Sequence, residues 1–285
     1  MIFARLQSPD GAAVVSGALE RGSLRELANP PWLPPVFTGR EFDVAGWRHL
    51  CPLSPGQIIG VGKNFAPDPA ALPNRPPAIP ILFHKPARCV VGPEADVLLP
   101  PGVARIKFES ELAVVIGRRA RAVSPADALG YVCGYTVAND FAALELFHPD
   151  GHWTLGKSCD TFCPLGPVIA TALDLSAVRV RSFLNGRPYQ DSPLELMITA
   201  LPRLIELISR YLTLEPGDVI LTGTPTGAGF AADGDVVECV IDGIGRLRNP
   251  VRKAPDSGPT GRPDSARATS TPRAARTGPR ARSPP

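Results

Sequence analysis

Short apolar runs, each bounded by glycine or proline, recur along most of the chain. The clearest are MIFARLQ, DGAAVVSGAL, QIIGVG, ILFHKP, DVLLP, FESELAVVIG and YVCGYTVAND. Brief apolar runs between turn-forming residues are typical of strands, whereas helices need longer runs with a period near 3.6. We therefore predict a mainly β fold of the α+β class with a few helices, and not an alternating βαβ arrangement.

Two pairs of runs predict hairpins. Asn185-Gly186 separates the alternating residues of VRVRSFL from RPYQ, and this dipeptide readily supplies the positive φ angles of a tight turn. Near the end of the apolar pattern, VVECVID and GRLRNPVR flank Asp242-Gly243 in the same way. The second hairpin is expected to close the main domain.

A helix is predicted from Ser192 to about Leu212. Ser192-Pro193-Leu194-Glu195 has the form of a capping box with proline at the first helical position. Apolar residues then recur at spacings of three and four from Leu194 to Ile208, which predicts one face packed on the core. Pro202 lies inside this range and is expected to bend or split the helix.

Composition divides the chain into three parts. Residues 1–55 are predicted to form a small, separately organised β domain, because the prolines of PPWLPP cannot continue a strand ladder. Residues 56–253 form the main domain. Residues 254–285 contain six arginines, two aspartates and no leucine, isoleucine, valine or aromatic residue, so we predict a disordered tail.

Charge and apolar content exclude several functions. The tail carries a net charge of +4, six minus two, so the 253 residues before it carry about −1 of the total of +3. That distribution offers no ordered basic surface for nucleic acid. Because the sequence has neither an apolar run of about 20 residues nor a secretory leader, we predict a cytoplasmic protein without membrane contact. The spacing of the six cysteines does not indicate a disulfide framework.

The run FESELAVVIG carries the first candidate chemistry. Glu109 and Glu111 are two residues apart, so on a strand their side chains point to the same face and repel each other. A hard divalent cation such as Mg²⁺ or Mn²⁺ would remove this conflict, and Asp140, at the end of YVCGYTVAND, could reach it if the two strands are neighbours. The alternative is a solvated strand face beside Lys107.

Six segments together resemble the fumarylacetoacetate hydrolase superfamily. They are FESELAVVIG, GYTVANDFAA, WTLGKSCDTFCPLGP, FLNGRPYQ, LEPGDVILTGTPTGAG and DGIGRLRNPV, and they cover roughly residues 55–253. The resemblance implies rolled mixed β-sheets, a homodimer, and a magnesium or manganese ion held by Glu109, Glu111 and Asp140. It further implies that the bound metal stabilises an enolate formed from a small 1,3-dicarbonyl or 2-oxo acid substrate.

The same resemblance assigns roles to four further residues. Lys157, in GKSCDTF, matches the active-site lysine of the family and would add positive charge beside the substrate oxygens. Gly223 and Thr224, in the segment TGTP, match a substrate-facing loop. Asn64, in GVGKNF, is expected to contribute to substrate binding.

Two departures from the family pattern affect the expected reaction. The lid positions that usually carry a water-activating histidine and glutamate are Asp68 and Ala71 here, so Asp68 is a candidate substitute base or only a helix cap. The arginine and glutamine often found after the metal aspartate are replaced by Leu144 and Phe147, which predicts a more apolar pocket. His148 and His152 flank Asp150 and are further candidates for a base.

Three functions therefore stay open. The first is a metal-dependent hydrolase of C–C bonds in small dicarbonyl or 2-oxo acid substrates. The second is an isomerase or decarboxylase of the same family, acting on hydroxymuconate-type or oxaloacetate-type substrates, for which no water needs to attack. The third is a metal-binding family member without catalytic activity.

Overall fold

In the computed structural model of the chain, which describes residues 1–254, the apolar runs form strands of three sheets. The strands are β1 (Ile2–Gln7), β2 (Val14–Glu20), β3 (Ser23–Leu27), β4 (Phe37–Asp43), β5 (Arg48–His49), β6 (Ile58–Gly62), β7 (Ile81–Lys85), β8 (Val90–Val91), β9 (Val97–Leu99), β10 (Arg105–Lys107), β11 (Ser110–Ile116), β12 (Val132–Asn139), β13 (Cys163–Ala170), β14 (Arg179–Leu184), β15 (Arg187–Pro193), β16 (Val219–Leu221), β17 (Phe230–Ala232), β18 (Val236–Ile241) and β19 (Gly245–Lys253). The predicted mainly β fold with mixed sheets is confirmed.

Helices are short in this fold. The α-helices are α1 (Thr154–Lys157) and α2 (Leu201–Tyr211), and single 3₁₀ turns lie at Pro69–Ala71, Ala87–Cys89, Ala128–Tyr131, Leu144–Leu146 and Leu194–Leu196. No helix within residues 1–254 is long and apolar enough to cross a membrane. Residues 255–285, which make up nearly all of the predicted disordered tail, lie outside the described residues.

The largest sheet has twelve strands, and its main path runs β4-β3-β2-β1-β13-β12-β11-β16-β6-β7. β11 is antiparallel to both β12 and β16, while β16 is parallel to β6. The smaller five-stranded sheet runs β15-β14-β18-β19-β9, and its strands β14 and β18 contact β11. All seven residues of β11 are therefore buried, although the strand begins between two glutamates.

The first 55 residues share the large sheet with the rest of the chain. β1 pairs with β2 on one side and with β13 on the other, where Phe3 lies opposite Ile169. Residues 1–254 form one compact unit, so the structure does not divide the chain at residue 55. The PPWLPP stretch lies between β3 and β4, where a break in the ladder only lengthens a connection.

The predicted start of the long helix is wrong. Ser192 belongs to β15 and lies opposite Val180 of β14, so the hairpin continues where the capping pattern predicted a helix. The helix α2 begins at Leu201 instead, and Pro202 stands in its first turn, where a missing N–H has no cost. The predicted apolar face is nevertheless correct within α2, since Leu201, Leu204, Ile205 and Ile208 are buried.

Both predicted hairpins are present. Asn185 and Gly186 have φ angles of 50° and 77° and connect β14 to β15, as expected for this dipeptide. β18 and β19 pair across the turn that contains Asp242 and Gly243. The six cysteines all lie within residues 1–254 and are unpaired there.

Candidate metal centre

Three acidic side chains meet where β11 and β12 lie side by side. Glu109 precedes β11, Glu111 is its second residue and Asp140 follows β12. Ser110 pairs with Asn139 across the two strands, and the Asp140 N–H donates to the Glu109 carbonyl at 2.9 Å. The prediction that the two strands are neighbours is therefore correct. One carboxylate oxygen from each acid lies within 4.8 Å of the others.

The backbone around the acids is fixed by further hydrogen bonds. The Asn139 side-chain oxygen accepts the N–H of Glu109 at 2.9 Å, and the Gly223 N–H donates to Glu111 Oε2 at 2.8 Å. Gly223 has a φ of 97°, and a Cβ at this position would lie 2.8 Å from the Cβ of Asn64. Only glycine therefore allows this close approach to Glu111 without strain.

Two buried lysines share the acids. Lys157, the last residue of α1, donates from Nζ to Glu109 Oε2 at 2.5 Å and to Asp140 Oδ2. Lys85, the last residue of β7, has a fully buried side chain with Nζ 2.7 Å from Asp140 Oδ1. Its Nζ also donates to the carbonyls of Phe141 at 3.1 Å and Lys157 at 2.6 Å. Lys157 was predicted at this centre from the family resemblance, whereas Lys85 was not predicted.

These contacts shift the pKa values of two of the carboxyls, Glu111 and Asp140, in opposite directions. Burial, and then the negative charges of Asp140 and Glu109, hold the pKa of Glu111 well above its usual range. Burial also favours the neutral form of Asp140, but the ammonium groups of Lys157 and Lys85 outweigh it and lower the pKa of this carboxyl. For Lys157, burial is outweighed by Asp140 and Glu109, and the pKa of the ammonium group is raised. Lys157 is thus a cation, and Glu111 is the least compensated acid.

The donor set fits a hard divalent cation. Three carboxylate oxygens converge, and hard cations such as Mg²⁺ and Mn²⁺ prefer oxygen ligands. Lys157 and Lys85 form ion pairs with Asp140, whereas no lysine or arginine of the described chain forms one with Glu111. The alternative of a solvated strand face is wrong, since Glu109 and Glu111 are 8% and 2% exposed.

A cavity of about 460 Å³ opens onto the three acids. Its polar side includes the acids themselves, Lys107, Lys157 and Thr224, and its apolar side includes Phe65, Phe83, Leu144, Phe147 and Trp153. The Trp153 ring lies 5.8 Å from both the Phe83 and the Phe147 rings, measured between centroids. As predicted, Leu144 and Phe147 give the pocket an apolar wall.

The other predicted binding residues lie at different depths. Thr224 lines the cavity, and its hydroxyl donates to the Ser110 carbonyl at 2.9 Å. Asn64 is 2% exposed, and its side chain is engaged by the backbone of Thr199 and Thr222. Asn64 and Gly223 therefore support the loop and the Glu111 carboxylate from behind, and direct contact of either with a substrate stays a prediction.

The candidate bases lie away from the acids. The Asp68 carboxylate is exposed and accepts the N–H of Ala71 at 3.0 Å, which makes it the cap of the 3₁₀ turn Pro69–Ala71. His148 and His152 are both exposed in a surface loop. Among the residues that the structure describes, no histidine lines the cavity. A catalytic role of Asp68 stays a prediction, and the cap alone accounts for its observed contacts.

The fold and the site define a protein of mixed β-sheets in which three carboxylates that could hold a metal ion and a lysine share one cavity. The chain belongs to the fumarylacetoacetate hydrolase family, because the family model described as "Fumarylacetoacetate (FAA) hydrolase C-terminal" matches residues 50–252. Members of this family are enzymes that act on small molecules.

Three relatives illustrate the similarity. Protein Rv2993c of Mycobacterium tuberculosis is 42% identical over 259 residues, which is 88% of this chain and 98% of the relative. The mitochondrial oxaloacetate tautomerase FAHD2A of Bos taurus is 39% identical over 216 residues, 71% of this chain and 68% of the relative. The crystal structure of 5-carboxymethyl-2-hydroxymuconate delta-isomerase from Mycobacterium smegmatis has a TM-score of 0.81 and 41% identity, and the match covers 89% of this chain and all of that one.

Proposed function

We propose that the chain is a divalent-metal-dependent enzyme that interconverts the enol and keto forms of a small 2-oxo acid or dicarbonyl compound. Glu109, Glu111 and Asp140 would hold Mg²⁺ or Mn²⁺. A cation bound there supplies Lewis-acid stabilisation to the negative charge that develops on the two substrate oxygens. The observation that carries the proposal is the convergence of three buried carboxylates and a protonated lysine in one cavity.

The remaining side chains of the cavity bind and orient the substrate. Lys157 places a fixed positive charge beside the reacting oxygens, because its pKa is raised by Asp140 and Glu109. Thr224 lies on the opposing loop and lines the cavity, where it shapes the pocket, because its hydroxyl proton is donated to the Ser110 carbonyl. The apolar wall around Trp153 limits water near the carbon chain, so the negative charge on the substrate is stabilised by protein groups rather than by solvent.

Isomerisation is the reaction that this cavity supports best. Hydrolysis requires a base that activates water, and the lid positions Asp68 and Ala71 offer no such group at the acids. Keto–enol isomerisation needs no attacking water. The enolate is stabilised by the electrophilic groups, and the proton that leaves one substrate atom and joins another is exchanged with solvent. The names of two relatives, a tautomerase and a delta-isomerase, support the same choice.

Hydrolysis of a C–C bond is the second candidate. It is favoured by the matched family, which is named for a hydrolase. Decarboxylation of an oxaloacetate-type substrate would use the same electrophilic groups. Loss of catalysis with retained metal binding is the remaining alternative, and the homodimer expected from the family resemblance stays a prediction that light scattering of the purified protein would test.

Direct assays separate these reactions. Purified protein with Mg²⁺ or Mn²⁺ is offered oxaloacetate, an acylpyruvate and a hydroxymuconate-type diene. Enol absorbance reports isomerisation, pyruvate and carbon dioxide from oxaloacetate report decarboxylation, and pyruvate with a second carboxylic acid from the acylpyruvate reports hydrolysis. Glu111→Gln serves as the matched inactive variant. If metal raises the melting temperature and none of the three compounds reacts, the non-catalytic alternative replaces the proposal.

A further inference from the structure

Gln190 is a buried amide whose hydrogen-bonding groups are engaged on both sides. It lies on β15 and is 1% exposed. Its Oε1 accepts the Ser110 N–H at 3.1 Å and the Ser182 hydroxyl at 2.8 Å, while its Nε2 donates to Thr224 Oγ1 and to the Pro225 carbonyl, both at 2.7 Å. An N–H can only donate and a carbonyl can only accept, so these partners fix the orientation of the amide.

The partners of Gln190 belong to the two halves of the candidate site. Ser110 is the residue between Glu109 and Glu111, and Thr224 lines the cavity on the opposing loop. The Thr224 hydroxyl donates in turn to the Ser110 carbonyl at 2.9 Å. Gln190, Thr224 and the two backbone groups of Ser110 therefore form a closed ring of hydrogen bonds. This ring joins the start of β11 to the loop that contains Thr224.

We propose that Gln190 is a positioning residue that holds the cavity loop, residues 224–228, in register with the metal carboxylates. The expected effect of Gln190 on kinetics rests on the proposed function. Its expected effect on the loop rests on geometry alone. Only a side chain with an acceptor and a donor in one plane can serve both halves, since Ser110 presents an N–H and Pro225 a carbonyl.

Replacing Gln190 by glutamate should keep its contacts with Ser110 and Ser182 and remove its contact with the loop. In Q190E one carboxylate oxygen can still accept from Ser110 and Ser182, so the strand side is retained. The other oxygen replaces the amide donor and faces the Pro225 carbonyl without a proton, which removes the loop side. The variant should therefore release the loop and leave Glu109 and Glu111 in place.

The matched controls lie on the same hairpin. Asp191→Asn makes the reverse amide–carboxylate exchange one residue further along β15, where the side chain is exposed and pairs with Arg179. Ser182→Ala removes one partner of Gln190 Oε1 and leaves both loop contacts. Neither Asp191 nor Ser182 lines the cavity.

Hydrogen–deuterium exchange of the full chain tests the geometry without any substrate. We expect Q190E to speed exchange in residues 224–228, with exchange in β11 and the metal concentration that half-saturates the rise in melting temperature unchanged. D191N and S182A should match the wild type. Equal exchange of the loop in Q190E and D191N, or equally faster exchange in S182A and Q190E, would overturn the positioning role.

Kinetics tests the link to substrate. On the substrate that the wild type converts best, we expect KM to rise about tenfold in Q190E while kcat stays within about threefold, since a tenfold change in affinity matches the loss of a buried hydrogen bond. An unchanged KM beside a faster-exchanging loop contradicts the role in substrate binding. A wild type that converts nothing refutes the proposed function, and the exchange data then decide the inference on their own.

Discussion

Replacing Glu111 by glutamine should have opposite effects on stability without and with metal. Glutamine keeps an acceptor for the Gly223 N–H and removes a charge whose oxygen lies within 4.8 Å of those of Glu109 and Asp140. Two unit charges 4.8 Å apart repel by about 3.5 kcal/mol at an effective dielectric constant of about 20. Because Lys157 and Lys85 neutralise part of the neighbouring charge, we expect metal-free E111Q to be more stable than the wild type by about 1–3 kcal/mol at neutral pH.

The stability of the metal-free wild type should change with pH in a definite direction. The pKa of Glu111 is raised in the folded protein, so the folded state binds its proton more tightly than the unfolded state does. Stability of the metal-free wild type therefore falls as the pH rises from the ordinary carboxyl range through the raised pKa. E111Q lacks this loss, and the two proteins should converge in stability at acidic pH, where Glu111 is protonated in both states.

Bound metal should reverse the order of stability of E111Q and the wild type. A ligand at 100 times its Kd stabilises a folded protein by about 2.7 kcal/mol, and this gain should appear in the wild type but not in E111Q. Urea denaturation followed by tryptophan fluorescence, with chelator or with excess Mg²⁺, measures both effects. Glu195→Gln, at an exposed position outside the cavity, is the control. An equal response of E111Q and wild type to metal would refute the assigned site.

Three further substitutions test the surroundings of the acids. Lys157→Met should lower kcat on the best substrate about 100-fold or more, as expected for loss of an electrostatic donor, while the metal-dependent rise in melting temperature persists; a kcat within threefold of wild type contradicts this. Lys85→Met should lower the free energy of unfolding in urea by about 3–5 kcal/mol, because it leaves Asp140 with one buried cation fewer. Asp68→Ala should cost about 0.5–1 kcal/mol through the lost cap and leave kcat/KM unchanged. A tenfold loss of kcat/KM in D68A would instead support the substitute base.

Local sequence rules predicted the acids of the centre well. The period of two along a strand placed Glu109 and Glu111 in one cavity, and the adjacency of two successive apolar runs brought Asp140 to them. The turn at Asn185-Gly186 followed from backbone preferences alone. These features depend on residues close in sequence or on neighbouring strands, so the sequence pattern could indicate them. The choice of a metal site over a solvated strand face came from the family resemblance.

Features that depend on distant pairing were missed. Ser192 has local capping chemistry, but pairing with Val180 keeps it in a strand, so tertiary context overrode the local preference. Lys85 ends an apolar run and resembles a surface lysine, yet it contacts Asp140 from β7, three strands away from β11 in the sheet. Gln190 gains its role only when the β14–β15 hairpin packs beside Ser110. The contact of Lys85 with Asp140 and the contact of Gln190 with Ser110 could not be inferred from spacing along the chain.

The buried charges of the centre explain why metal and substrate should bind in order. With Glu111 ionised, the three acids face the buried lysines Lys85 and Lys157 and the partly exposed Lys107, whose Nζ lies 2.7 Å from Glu109 Oε1. Three negative and three positive charges sum to zero, so the site without metal gives an anionic 2-oxo acid little attraction. A divalent cation would change the net charge to +2, and the same cavity would then attract the anion. The lysines therefore balance the acids in the absence of metal but do not replace its positive charge. Substrate alone should therefore leave the melting temperature of the metal-free protein unchanged. Once Mg²⁺ is present, substrate should raise it.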